Sequence, residues 1–249
     1  HYLEGSPLAL ELAAAHVEVA LPLDSLCQQI EQCIDLLVPI GGTADTRERR
    51  SVQGTFIWSY QRLSATEQSA FQALSILRTG DVADVTSITG LAPFAVIPLL
   101  ASLRRRFLLR VTPAPEEGLP EKIRYRLPEP IRQFAAETLS ASGNEAVVRQ
   151  KMIQHFASLA QQLGGQPTRL VSERDNLCEA LRLALDSSSH EEPMATSIAY
   201  LVSALWRVSM IYGGIVIVYD LLIRAEEALD SAAPLLQIAA LKGIEIGRA

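Results

Sequence analysis

Apolar residues recur at helical spacing along most of this chain. Leu8, Leu12, Ala15 and Val19 lie three or four apart, and Pro7 just ahead of them suits a first helical turn. Pro22 opens a second run in which Leu26, Ile30, Ile34 and Leu37 form one stripe; Pro39 and Gly41-Gly42 end it. Thr43 to Arg50 is polar and charged, as a linker is. The pattern returns from Val52 to Leu63 with Phe56, Ile57 and Tyr60. Ser64-Ala-Thr-Glu67 then reads as a capping box, in which the serine hydroxyl accepts from the amide three residues on and the glutamate reaches back. The helix it opens is expected to run to about Leu77, burying Phe71 and Leu74, and to stop by Gly80. Asp81–Thr89 is a short helix closed by Gly90. Pro93–Arg106 is a longer one, with Val96, Leu99, Leu100 and Leu103 on one face.

The period then shifts. Phe107–Val111 and Ile123–Leu127 are strand-like, and the intervening Thr112–Lys122 is rich in Pro, Gly and Glu, which predicts a hairpin. Three helices followed by a hairpin is the order of a winged helix, a helix-turn-helix variant, and Pro130–Ser140 supplies a closing helix. Helices over Glu145–Leu163, Val171–Leu185, Met194–Tyr212 and Ile215–Asp230 follow, separated by Gly164-Gly165, Ser187–Pro193 and Gly213-Gly214. Paired helices with short breaks predict a tetratricopeptide-like array. The expected fold is therefore mainly α: a helical segment over 1–45, a winged helix with a small β-hairpin over 51–140, and a helical-repeat region over 144–249.

Composition sharpens this picture. The 249 residues are 49% hydrophobic and only 6% aromatic, which favours Ala- and Leu-rich helices packed on one another. Charge is uneven. Residues 1–50 hold three basic and eight acidic side chains, 51–140 ten and eight, and 141–249 nine and twelve. The middle part alone is positive, and less strongly than a free-standing nucleic-acid binder would be. Cys27, Cys33 and Cys178 form no Cys-x-x-Cys pair, and the four histidines are scattered. No disulfide framework and no metal site are expected, only buried or idle thiols in a reducing compartment. Ala195–Ile223 is strongly apolar, but Arg207 interrupts it, Gly213-Gly214 divides it and Asp220 closes it, so two buried helices are expected rather than a membrane span. With no secretory-leader pattern at residue 1, a cytoplasmic location is expected.

Four stretches, taken in order, carry a resemblance. They are Gly5-Ser6-Pro7 with the helix after it, Trp58-Ser-Tyr60-Gln-Arg-Leu63, Tyr125-Arg-Leu127-Pro-Glu129-Pro-Ile131-Arg132, and Glu173-Arg-Asp-Asn176-Leu177-Cys-Glu-Ala180-Leu181. Together they resemble the signal-transduction ATPases with numerous domains, the class that includes the NB-ARC switches and many large bacterial regulators. In that class a phosphate-loop core precedes a helical lid, a winged helix and helical repeats. The resemblance implies that lid and winged helix close over ATP or ADP with magnesium, that the repeats sense a protein or small-molecule partner, and that many members regulate transcription. This chain contains no Gly-x-x-x-x-Gly-Lys-[Ser/Thr]. It is therefore expected to be a non-catalytic regulatory part, with its ATPase core as first partner and the nucleotide belonging to the parent protein.

The resemblance also nominates residues. Gly5 and Pro7 fall where the family's proline packs on adenine. Leu127-Pro128-Glu129 falls where related switches carry Met-His-Asp; Pro128 has no donor to offer a phosphate, and Glu129 is expected to favour the start of the next helix. Arg104, Arg105 and Arg106 end the would-be recognition helix, with Arg124 and Arg126 on the wing. These arginines admit three readings: DNA phosphate contact, solvated complements to a helix dipole, or contacts to an acidic face of the absent core. Two further functions stay open, a DNA-binding winged-helix factor with a helical interaction region and a pure protein-interaction scaffold.

Overall fold

The computed structural model describes residues 56–114, 122–164, 166–187 and 192–230. Gly5, Pro7 and the predicted helices of 1–45 lie outside the described residues. Residues 56–61 are helical. After them come α1 (Ala65–Leu74), α2 (Val82–Thr89), α3 (Pro93–Arg105), β1 (Arg110–Ala114), β2 (Lys122–Arg126), α4 (Glu129–Ala141) and α5 (Glu145–Leu163). A short α6 (Pro167–Leu170) and a 3-10 turn (Val171–Glu173) then lead into α7 (Arg174–Leu185), α8 (Glu192–Tyr212) and α9 (Ile215–Asp230). Among the described residues the protein is mainly helical, with one small antiparallel sheet.

The ends of these elements follow from local chemistry. Ser64 and Glu67 close the expected capping box on α1, and Asp81 with Asp84 forms a second one on α2. Gly90 ends α2 at φ 77°, a left-handed turn; a Cβ there would also lie 2.8 Å from the Lys151 ammonium. The first helix stops three residues short of its predicted end. The Ser75 hydroxyl and amide both bond the Gln72 carbonyl, and the Arg78 amide donates to Asn176 Oδ1 at 2.9 Å instead of continuing the ladder.

The first strand also departs from expectation. It starts at Arg110, not Phe107. The Leu108 amide bonds the Leu103 carbonyl and the Phe107 amide the Arg104 carbonyl, a Schellman closure of α3 with Phe107 at φ 56° in the place glycine usually takes. Leu108 and Leu109 then enter the core before pairing begins, so an apolar triplet that reads as strand is a helix stop followed by two core anchors. β1 and β2 pair from Arg110 opposite Arg126 to Ala114 opposite Lys122. On its far side β2 exchanges both backbone bonds between Tyr125 and Gly80.

One hydrophobic core runs from Phe56 to Ala225. Phe56, Tyr60, Phe71 and Phe134 nest with ring centroids 5.7–6.3 Å apart at its first end. Trp58 is buried, and Trp206 packs partly exposed against the core. Only Ser142, Gly143 and Asn144 separate α4 from α5, and α5 packs on α2 as well as on α7 and α8. Pro193–Tyr212 is long and apolar enough to cross a membrane, and half of that stretch is inside the protein against α5, α7 and α9. Ile215–Asp230 is helical despite its strand-prone start, held by burial of Val218, Leu222 and Ala225.

Candidate functional site

The α2–α3 pair has the geometry of a helix-turn-helix. Three residues, Gly90, Leu91 and Ala92, join the helices, and the chain bends by 104° across the break. Val85 and Ile88 of α2 and Val96, Leu99, Leu100 and Leu103 of α3 form the buried angle of the pair. The Thr89 hydroxyl accepts from the Leu91 amide at 3.2 Å, and the Glu67 carboxylate accepts from Ser102 of α3.

The opposite face of α3 is exposed and divides by chemistry. Phe94 is 82% exposed and Ile97 59%; Pro98 and Ala101 complete an apolar stripe at helical spacing. Arg104 and Arg105, one turn further, are exposed, while Arg106 is half-buried at the helix C-cap. The basic groups therefore sit at the carbonyl end of the helix, where they complement its dipole. Arg126 is exposed on β2 opposite Arg110.

Arg124 does not join them. It is 4% exposed, and its guanidinium is gripped from several directions. Both terminal nitrogens bond the Glu173 carboxylate, one of them at 2.7 Å. Nε donates to Thr79 Oγ1 at 3.0 Å and Nη2 to the Thr79 carbonyl at 3.2 Å. Asp84 Oδ2 lies 3.8 Å away. Asn176 Nδ2 donates to the Thr79 carbonyl at 2.6 Å and to Glu173 Oε2 at 3.0 Å. His155 Nε2 lies 2.8 Å from Asp84 Oδ1, and the pair brings α5 into the same cluster. The wing arginine expected at a surface is thus the centre of a buried clamp that ties β2 to α2, α5 and α7. Its guanidinium is unavailable to a phosphate backbone.

Burial pushes the Glu173 carboxyl above its ordinary range, and the Asp84 charge pushes the same way; the bonds from Arg124 and Asn176 oppose both. Arg124 counters two buried carboxylates, a pairing that makes each member costly to remove alone. In the sequence, Glu173 and Asn176 stand out only as members of the Glu173–Leu181 motif. Their spacing of three, at the mouth of an amphipathic helix, is the signal that both face inward together.

Leu127, Pro128 and Glu129 hold their own places. Leu127 is in the core, Pro128 precedes α4, and Glu129 opens that helix. The Glu129 carboxylate accepts from Arg132 Nε at 2.9 Å and Nη2 at 2.6 Å, and from Gln133. The Arg132 bond holds its carboxyl down at about 2. A cavity of about 470 Å³ opens beneath the α2–α3 turn, lined by Thr66, Ser69, Gln72, Leu91, Asn144 and Lys151 among others. Lys151 crosses it to donate to the Thr89 carbonyl at 3.3 Å.

The chain is 31% identical over 212 residues to a protein of Mycobacterium tuberculosis, and to its Mycobacterium bovis counterpart, each provisionally named an HTH-type transcriptional regulator. The match covers 82% of this chain and 23% of the regulator. It is 27% identical over 159 residues to an uncharacterized M. tuberculosis protein, covering 62% of this chain and 39% of that protein. The chain thus spans less than a quarter of the length of the named regulators. No family model and no solved structure matches it.

Proposed function

We propose that this chain is a non-catalytic regulatory segment of a nucleotide-switched transcriptional regulator. The observation that carries the proposal is the similarity to HTH-type regulators, which runs through both the helix-turn-helix and the helical array. Those regulators are over four times as long as the matched region, which leaves room for a separate nucleotide-binding core. In this reading ATP or ADP with magnesium binds the parent's core, with Gly5 and Pro7 on the adenine side. The winged helix and array act as one body that favours the closed state, and a ligand or protein on the array releases it by binding the open state better. The parent acts in the cytoplasm, where its transcriptional target is.

Nucleotide binding tests the proposal at two levels. The isolated chain is expected to bind neither ATP nor ADP by calorimetry and to hydrolyse neither. The longer parent is expected to copurify with nucleotide, and to lose it when its phosphate-loop lysine is replaced. A parent with no phosphate loop upstream sinks the reading.

A second reading is supported by the 104° bend and the arginines at the end of α3: direct DNA binding. It requires duplex binding that weakens steeply with salt and disappears on charge reversal of Arg104, Arg105 and Arg106. Absence of binding at 50 mM salt excludes it.

A further inference from the structure

The exposed face of α3 is unsuited to reading DNA. A recognition helix meets base edges with side chains in its N-terminal half, which supply hydrogen-bond donors and acceptors. Here that half exposes Phe94, Ile97 and Pro98, with Ala101 following them on the same face, and none of the four carries a polar side-chain atom. Pro98 also has no N–H for the Phe94 carbonyl, so an oxygen that would repel phosphate is left without its helical partner. An exposed apolar stripe closed at one end by two arginines instead matches a protein segment with an apolar stripe and a negative edge.

The chain itself contains one. Residues 1–46 carry seven carboxylates and no lysine or arginine. Glu4, Glu11 and Glu18 recur every seven residues, and on a helical wheel they border the stripe of Leu8, Leu12, Ala15 and Val19. We propose that this acidic segment docks on the exposed face of α3, its leucines over Phe94 and Ile97 and its glutamates toward Arg104 and Arg105. The helix-turn-helix then serves as an internal docking platform, and its outer face is occupied by the chain's own acidic segment. The docking does not depend on whether the parent binds nucleotide.

Hydrogen exchange on the full 249-residue chain tests it. Amides of residues 8–20 are expected to exchange at least about tenfold faster in Phe94→Ser/Ile97→Ser and in Arg104→Glu/Arg105→Glu, while α5 and α7 keep their protection. Combining Arg104→Glu/Arg105→Glu with Glu11→Arg/Glu18→Arg is expected to restore protection, which no loss of folding can mimic. Unchanged exchange at 8–20 in both α3 variants overturns the proposal. So does a low-salt duplex that protects α3 in the wild type and not in the arginine variant. A dimer in sedimentation that Phe94→Ser/Ile97→Ser dissociates also overturns it, because a second copy would then cover the face.

Discussion

At the scale of single residues, two positions carry more than their local sequence suggests. Arg124 neutralises Glu173 and Asp84 in a site closed to water, so its removal strands buried carboxylates. Arg124→Met is expected to cost about 3–5 kcal/mol, and Arg124→Met/Glu173→Met distinctly less, because the pair is more replaceable than either member. Urea titration of both variants decides it; equal losses would mean that the clamp is not a coupled unit. Phe107 occupies a left-handed turn at φ 56° and is 43% exposed. Phe107→Gly is therefore expected to raise stability by up to about 1 kcal/mol, read as a higher thermal midpoint. Glu129 supplies a pH signature. Its carboxyl is held at about 2 by Arg132, so its contribution is present above the ordinary carboxylate range and is lost as pH falls toward 2. Glu129→Gln is expected to flatten that part of an acid-unfolding curve.

At the scale of elements, local signals carried far. The Ser64–Glu67 box, the Gly90 stop, and the spans of α5 and α9 were legible because caps, glycines and apolar period all lie within a few residues of the feature they set. Ser64→Ala is expected to cost about 1 kcal/mol, measured as a shift in denaturant midpoint without a change in slope. The failures share a different cause. The predicted helix over Val171–Leu185 is broken into a 3-10 turn and α7, with Glu173 at the junction aimed at a guanidinium 49 positions earlier. Arg124 looked like a wing arginine for the same reason, since its partners are remote in sequence and no periodicity announces them. The α3 face was half legible. The sequence marks the arginines and the buried face of Val96, Leu99, Leu100 and Leu103, while the exposure of Phe94 and Ile97 shows only once the fold fixes which side of the helix is covered.

At the scale of the whole molecule, the helix-turn-helix and the array share one core. The expected consequence is one cooperative unfolding transition. Trp58 is buried in the helix before α1 and Trp206 packs from α8 against that core, so Trp206→Phe leaves Trp58 reporting near the helix-turn-helix and Trp58→Phe leaves Trp206 reporting on the array. Coincident fluorescence midpoints in the two variants are expected; separated ones would show that the clamp does not couple the two. The three-residue joint between α4 and α5 has a further consequence. With so little slack, and with α5 also packed on α2, the described residues contain no elbow. In the proposed switch, a signal received on the array is not stored as a bend among these described residues. It leaves as a displacement of the entire block, and the joint that yields in that switch lies outside these residues.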